Sequence, residues 1–250
     1  MNMRKQLFII TFTFLYTCMS SQAQSQINRV STSDFGILED GSTVKKYTLR
    51  NKSNMQVELI SYGAIITKIS VPDNKGQFDN VITGSESLSD YLDKYPAAAA
   101  IGRFANRIEK GQFSIDNNKY SVTINNGNNH LHGGNKGFAK VIWVAEVIAS
   151  DTQSAGIKFS YFSRDGEEGF PGNLNVSVTY ILNDDNELIL NYEAATDKPT
   201  IVNLTNHAYF DLSGTSDISS HILQLNADYY TPVNQELIPT GDIKSVKNSP

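Results

Sequence analysis

From Val44 onward the chain alternates short apolar-rich runs with clusters of turn-forming residues. Val44–Leu49, Val57–Ser61, Ile65–Val71, Gln112–Ile115, Lys119–Ile124, Val141–Ile148, Gly156–Ser163, Asn175–Leu182, Glu187–Ala194 and Ile222–Leu225 are rich in β-branched and aromatic side chains and predict strands. Between them lie Asp73-Asn74-Lys75-Gly76, Asp116-Asn117-Asn118, Asn125 to Asn129, Arg164-Asp165-Gly166 and Asn183-Asp184-Asp185-Asn186, residue types that accept tight-turn geometry. Along Asn175–Tyr180 apolar and polar residues alternate, the period of a strand with one face buried. Only Ser87–Lys94 reads as helix. Many short strands at near-even spacing predict an all-β antiparallel sandwich or barrel in one domain, not βαβ units.

Composition narrows the function. Lys plus Arg is 21 and Asp plus Glu 26, for a net charge of −5 over 250 residues, and no basic run stands out. That weighs against nucleic acid or an anionic membrane surface as partner. One cysteine cannot form an internal disulfide, and four histidines without a cysteine cluster argue against a structural zinc site. The N-terminus opens with Arg4 and Lys5, continues through the apolar stretch Leu7–Tyr16 and reaches the small-x-small site Ser21-Gln22-Ala23. Residues 1–23 therefore predict a signal peptide and export to the periplasm or exterior, leaving 24–250 as the mature domain. The competing reading makes Cys18 a lipid-anchored first residue, which bulky Tyr16 and Thr17 fit poorly.

Three islands depart from the strand pattern. His130-Leu131-His132-Gly133-Gly134 holds two of the four histidines. If extended, period-two geometry puts both imidazoles on one face, and the glycines let a ligand or another backbone come close. The alternative is a hairpin whose histidines face solvent. Ile101–Ile108 carries Arg103 and Arg107 with Asn106 between, donors suited to a polyol or a carboxylate, or else structural arginines bridging strands. Val202–Gly214 is dense in hydrogen-bonding side chains around His207, a candidate acid or base or a structural histidine. Trp143, a possible sugar platform, sits in an apolar strand and reads better as core. Asp165–Gly172 is carboxylate-rich but lacks a calcium-loop spacing.

Taken together, several segments resemble the aldose 1-epimerase (galactose mutarotase) family. They are Gly102-Arg103-x-Ala105-Asn106-Arg107-Ile108, Asn129-x-Leu131-His132-Gly133-Gly134, Gly137-Phe138-x-Lys140-x-x-Trp143, Asp165–Gly172, Asn203-Leu204-Thr205-Asn206-His207-x-Tyr209-Phe210, Ala227-Asp228-x-Tyr230-x-Pro232-Val233 and Ile238-Pro239-Thr240-Gly241, in family order. The resemblance runs from about Phe35 to the last residue. It implies a large antiparallel β-sandwich of the mutarotase type (a supersandwich) that interconverts the α and β anomers of free aldoses without a cofactor or metal. By position, Asn106 and Arg107 would hold sugar hydroxyls, and His132 would hydrogen-bond at the anomeric end. His207 would protonate the ring oxygen as general acid, and Tyr209 would complete the sugar contacts. His130 falls where the motif varies, which predicts a place on the rim.

The family's base, a glutamate near the C-terminus, and a second acidic sugar-binding residue have no counterpart before Pro250; Glu236 and Asp242 belong to an earlier segment. The expectation is therefore a sandwich lacking its C-terminal portion, with an inactive carbohydrate-binding protein as the alternative to an enzyme. Ala97–Ala100 and Ala139 also stand where the family often has an aromatic residue and an aspartate.

Overall fold

The computed structural model describes residues 28–92, 97–148, 153–214 and 217–247. The predicted signal peptide, with Cys18, lies outside them. Strands β1 (Val30–Ile37), β2 (Thr43–Arg50), β3 (Gln56–Ile60), β4 (Ile65–Pro72) and β5 (Phe78–Asn80) form an antiparallel meander in sequence order. After the single-turn helix α1 (Ser89–Leu92) come the short strands β6 (Ala100–Ile101), β7 (Arg107–Ile108), β8 (Gln112–Ile115), β9 (Asn118–Ser121) and β10 (His130–Leu131). A second antiparallel sheet follows from β11 (Val144–Ile148), β12 (Ser154–Ser163), β13 (Leu174–Asn183) and β14 (Leu188–Thr196). The last elements are the two-residue strands β15 (Thr205–Asn206), β16 (Tyr229–Tyr230) and β17 (Lys244–Ser245).

The sandwich arises from alternation on both sheets. Val57 and Leu59 of β3 bury against a cluster that includes Ile157 and Phe159 of β12 and Val176, Val178, Tyr180 and Leu182 of β13. Each such side chain, once removed from water, contributes about 1.5–3 kcal/mol. Polar ties join the layers where apolar packing ends. The Tyr180 hydroxyl donates to Ala64 O at 2.9 Å, and the Arg29 guanidinium forks onto Asp184 at 2.8 and 2.9 Å. Trp143 is core, as expected, with its Nε1–H on Phe138 O at 3.0 Å. No helix among the described residues is long and apolar enough to cross a membrane.

Several local expectations fail for identifiable reasons. Ile222–Leu225 forms no strand: its apolar side chains face solvent (Ile222 96 %, Leu223 82 %) and no ladder partner faces it. The helix expected over Ser87–Lys94 contracts to Ser89–Leu92, with Lys94 outside the described residues. Lys119–Ile124 pairs only to Ser121, because Val122 and Thr123 bond instead to Gly111 and Glu168. Conversely β1 escapes prediction: Val30–Ile37 is mostly polar and half exposed, and is a strand because β2 supplies its hydrogen bonds.

Candidate active site

The glycine-rich island makes a turn rather than a strand. β10 ends at Leu131, and His132 (φ +53°) and Gly133 (φ +87°) both take left-handed backbone, closed by Gly134 N–H on Leu131 O at 3.1 Å. The condition under which both imidazoles would share a face, an extended segment, is therefore not met beyond Leu131. His130, predicted on the rim, is fully buried: its Nδ1 lies 2.8 Å from Thr123 O, and its ring meets the Phe170 ring edge-on at 5.2 Å. A carbonyl only accepts, so the His130 proton sits on Nδ1, and burial pushes its pKa down. Gly133 makes room for another backbone and Gly134 for a carboxylate side chain. A Cβ on Gly133 would stand 1.7 Å from Gly102 O, and one on Gly134 would stand 2.2 Å from a Glu168 carboxylate oxygen.

Of the two histidines, His132 alone is brought beside His207. Its N–H donates to Asn106 O at 3.0 Å, and its Nδ1 accepts the Asn106 N–H at 2.9 Å. This exchange fixes the neutral ring with its proton on Nε2. The His132 pKa falls to about 4, first because the ring is desolvated and then because His207, Arg107 and His130 add positive potential. His207 faces it: the two imidazoles stand nearly perpendicular, with centroids 5.1 Å apart. Tyr209, about half exposed, lies tilted beside the His207 ring, centroids 4.9 Å apart.

The seat of His207 is backbone that sequence reasoning missed. β15 pairs with β6, His207 N–H donates to Ala99 O at 3.1 Å, and Ala98 N–H returns to His207 O at 2.9 Å. Asn206 Nδ2 adds a bond to Ala98 O at 2.8 Å. The alanines, noted only for lacking an aromatic ring, act through main-chain groups that no side-chain motif reveals.

The two arginines divide. Arg103 is structural: it is buried and spends its guanidinium on Ser163 Oγ, Ser163 O, Arg164 O and Pro171 O. Arg107 belongs to the cluster. Its Nη1 donates to Asn106 Oδ1 at 3.3 Å, while its buried Nε–H has no hydrogen-bond partner among the described residues. A buried, unmatched donor costs about 1–3 kcal/mol and favours an incoming oxygen acceptor. The carboxylates of Glu168 and Glu236 are committed to the scaffold, whereas the buried Oε2 of Glu167 has no hydrogen-bond partner among the described residues. Glu167 accepts the Tyr161 hydroxyl, Glu168 accepts the amides of Asn135 and Lys136, and Glu236 accepts the side-chain amides of Asn128 and Asn129. No group of three or more metal-ligating side chains occurs among the described residues.

Thus Asn106, Arg107, His132, His207 and Tyr209, drawn from three segments distant in sequence, converge on donors and an imidazole pair suited to an uncharged polyhydroxy ligand. The family model described as aldose 1-epimerase matches residues 45–250. A galactose mutarotase from Sus scrofa is 45 % identical over 224 residues, covering 88 % of this chain and 64 % of the relative. The aldose 1-epimerase of Escherichia coli (strain K12) is 40 % identical over 209 residues, covering 83 % and 59 %. The crystal structure of a galactose 1-epimerase from Lactobacillus acidophilus NCFM superposes with a TM-score of 0.75 at 29 % identity, covering 88 % of this chain and 64 % of that one. The chain thus spans about 64 % of the length of the first of these relatives, and by its sequence it belongs to the aldose 1-epimerase family.

Proposed function

We propose that the protein is an aldose 1-epimerase that interconverts the α and β anomers of free aldoses such as glucose or galactose. The observation that carries this reading is the pairing of His132 and His207 imidazoles, centroids 5.1 Å apart, beside the unmatched Arg107 Nε–H. Ring opening needs a proton delivered to the ring oxygen and one removed from the C1 hydroxyl. The second passes to solvent water, from which His207 recovers its proton after each turnover, because Glu168 and Glu236 are bonded to the scaffold. In this scheme His207 is the general acid at the ring oxygen. His132, neutral and carrying its proton on Nε2, donates a hydrogen bond at the anomeric end. Asn106 and Arg107 hold ring hydroxyls, and the Tyr209 ring borders the sugar. The open aldehyde turns about C1–C2 and recloses from its other face. A correctly placed acid or base contributes about 10²–10⁴ in rate.

The test is polarimetry of freshly dissolved α-galactose or α-glucose. The protein should bring either sugar to its equilibrium rotation faster than buffer does, and His207→Ala should remove most of that acceleration. Equilibration at the buffer rate by the unmodified protein refutes the reading. The commitment of Glu168 and Glu236 to scaffold bonds favours a second reading, carbohydrate binding without catalysis. Calorimetric galactose binding without mutarotation would select it. Export and the placement of residues 1–23 as a signal peptide are part of the same proposal, tested by the N-terminal sequence of the protein recovered from the periplasm or medium.

A further inference from the structure

We propose that Asn125, outside the sugar-contacting cluster, is a positioning residue that clamps the turn presenting His132. Its side chain bonds both ends of that turn. Nδ2 donates to Leu131 O at 2.9 Å and to Gly134 O at 2.8 Å, while Oδ1 accepts the Leu131 N–H at 2.7 Å. Leu131 and Gly134 are the first and last residues of the turn, and His132 and Gly133 lie between them with left-handed backbone. A non-glycine residue at φ +53° persists only where its surroundings impose it. Among the described residues β10 ladders only with β7, at His130↔Ile108 and Leu131↔Arg107. Asn125 therefore acts as a side-chain strand on the other edge, pinning the carbonyls on both sides of His132.

Two further anchors complete the frame. Glu168 holds the Asn135 and Lys136 amides just beyond the turn, and Asn106 exchanges bonds with His132 itself. Of the three, Asn125 alone touches the turn at both ends while touching no imidazole. Its own backbone is fixed by N–H donation to Asn129 O at 3.2 Å. The consequence is a ring held against His207 with its proton on Nε2.

This inference rests on His132 being the anomeric-end group, but its test does not. Long-range ¹H–¹⁵N spectra of the imidazoles report the tautomer and titration of His132 in the 250-residue chain without substrate. The unmodified protein should show a neutral Nε2–H ring that titrates near pH 4. Asn125→Ala removes all three bonds. Asn125→Asp keeps the acceptor for Leu131 N–H but sets a carboxylate against two carbonyls. In both variants the His132 signals should shift to a mixed tautomer, with a midpoint moved toward the ordinary 6.5, while the buried Trp143 indole signal stays in place. Mutarotation should fall about 10–100-fold in kcat with little change in KM, as for a group misplaced by a fraction of an ångström. His132 signals unchanged in either folded variant overturn the proposal. Loss of the Trp143 signal in both also overturns it, since Asn125 would then be a fold determinant. If the parent shows no mutarotation, the proposed function fails while the imidazole spectra still decide the role of Asn125.

Discussion

Gly133→Ala should be among the most damaging one-carbon additions to this chain, and the cost can be worked from the structure. The added methyl would lie 1.7 Å from Gly102 O and 2.5 Å from its carbonyl carbon, neither of which is a flexible side-chain end. Restoring an ordinary contact requires the turn to withdraw from Gly102 by about 1.5 Å, given carbon contacts near 3.5 Å. Gly102 O is the acceptor of Phe138 N–H at 3.2 Å, so withdrawal also strains the seat of Phe138, which packs edge-on against Trp143. Left-handed backbone costs a residue with a Cβ about 1–2 kcal/mol, overpacking about 1–3 and a lost hydrogen bond about 1. Together these come to about 3–6 kcal/mol. Gly41→Ala is the control: φ is +84°, yet nothing lies within 4 Å of the new Cβ, so only the backbone term applies. Urea unfolding read by Trp143 fluorescence measures both. With a slope of about 2 kcal/mol per molar, Gly133→Ala should move the midpoint down by about 2 M and Gly41→Ala by less than about 1 M. Equal midpoints for the two variants would refute the clash, and with it the view that Gly133 exists for backbone approach.

Three further outcomes follow from the same geometry. Because His132 has a folded-state pKa of about 4 against the ordinary 6.5, the unfolded chain binds its proton first. Its contribution to stability is complete above pH 6.5 and declines as pH falls toward 4, with a ceiling near 3 kcal/mol that partial solvent access cuts to about 1–2; buried His130 acts in the same direction. Urea midpoints at pH 7.5 and 5 should differ accordingly, and His132→Gln should reduce the difference. Arg103→Ala strips donors from the carbonyls of Ser163, Arg164 and Pro171 and should cost about 3 kcal/mol in urea unfolding; a cost below about 1 would return Arg103 to the list of candidate ligand-binding groups. Arg107→Lys keeps the charge but loses the unmatched Nε–H. It should raise the KM for galactose about tenfold with a smaller effect on kcat, and an unchanged KM would remove Arg107 from the sugar contacts.

What could be read from the sequence depended on whether a residue acts through its side chain or through its backbone. Most strands of the two large sheets were legible because their period is local and their partners are the next strands along the chain: Asn175–Leu182 alternates and pairs as β13. β1 was not legible, because its strand character comes from the neighbouring β2, and Ile222–Leu225 misled because composition alone cannot supply a ladder partner. The same division runs through the site. His132 and His207 are chemically conspicuous, and the fold brings them face to face. The elements that hold them are not conspicuous: Ala98 and Ala99 offer only peptide groups, and Asn125 reads as one more asparagine in a turn-forming run. The motif's two histidines show the point most directly. His130 and His132 are one residue apart and identical in chemistry, yet one is buried against Phe170 and the other is turned outward. The side chains do not decide this. The change of backbone hand at His132 does, and it is imposed by Gly133 meeting Gly102 and by the bonds closing on Leu131 and Gly134.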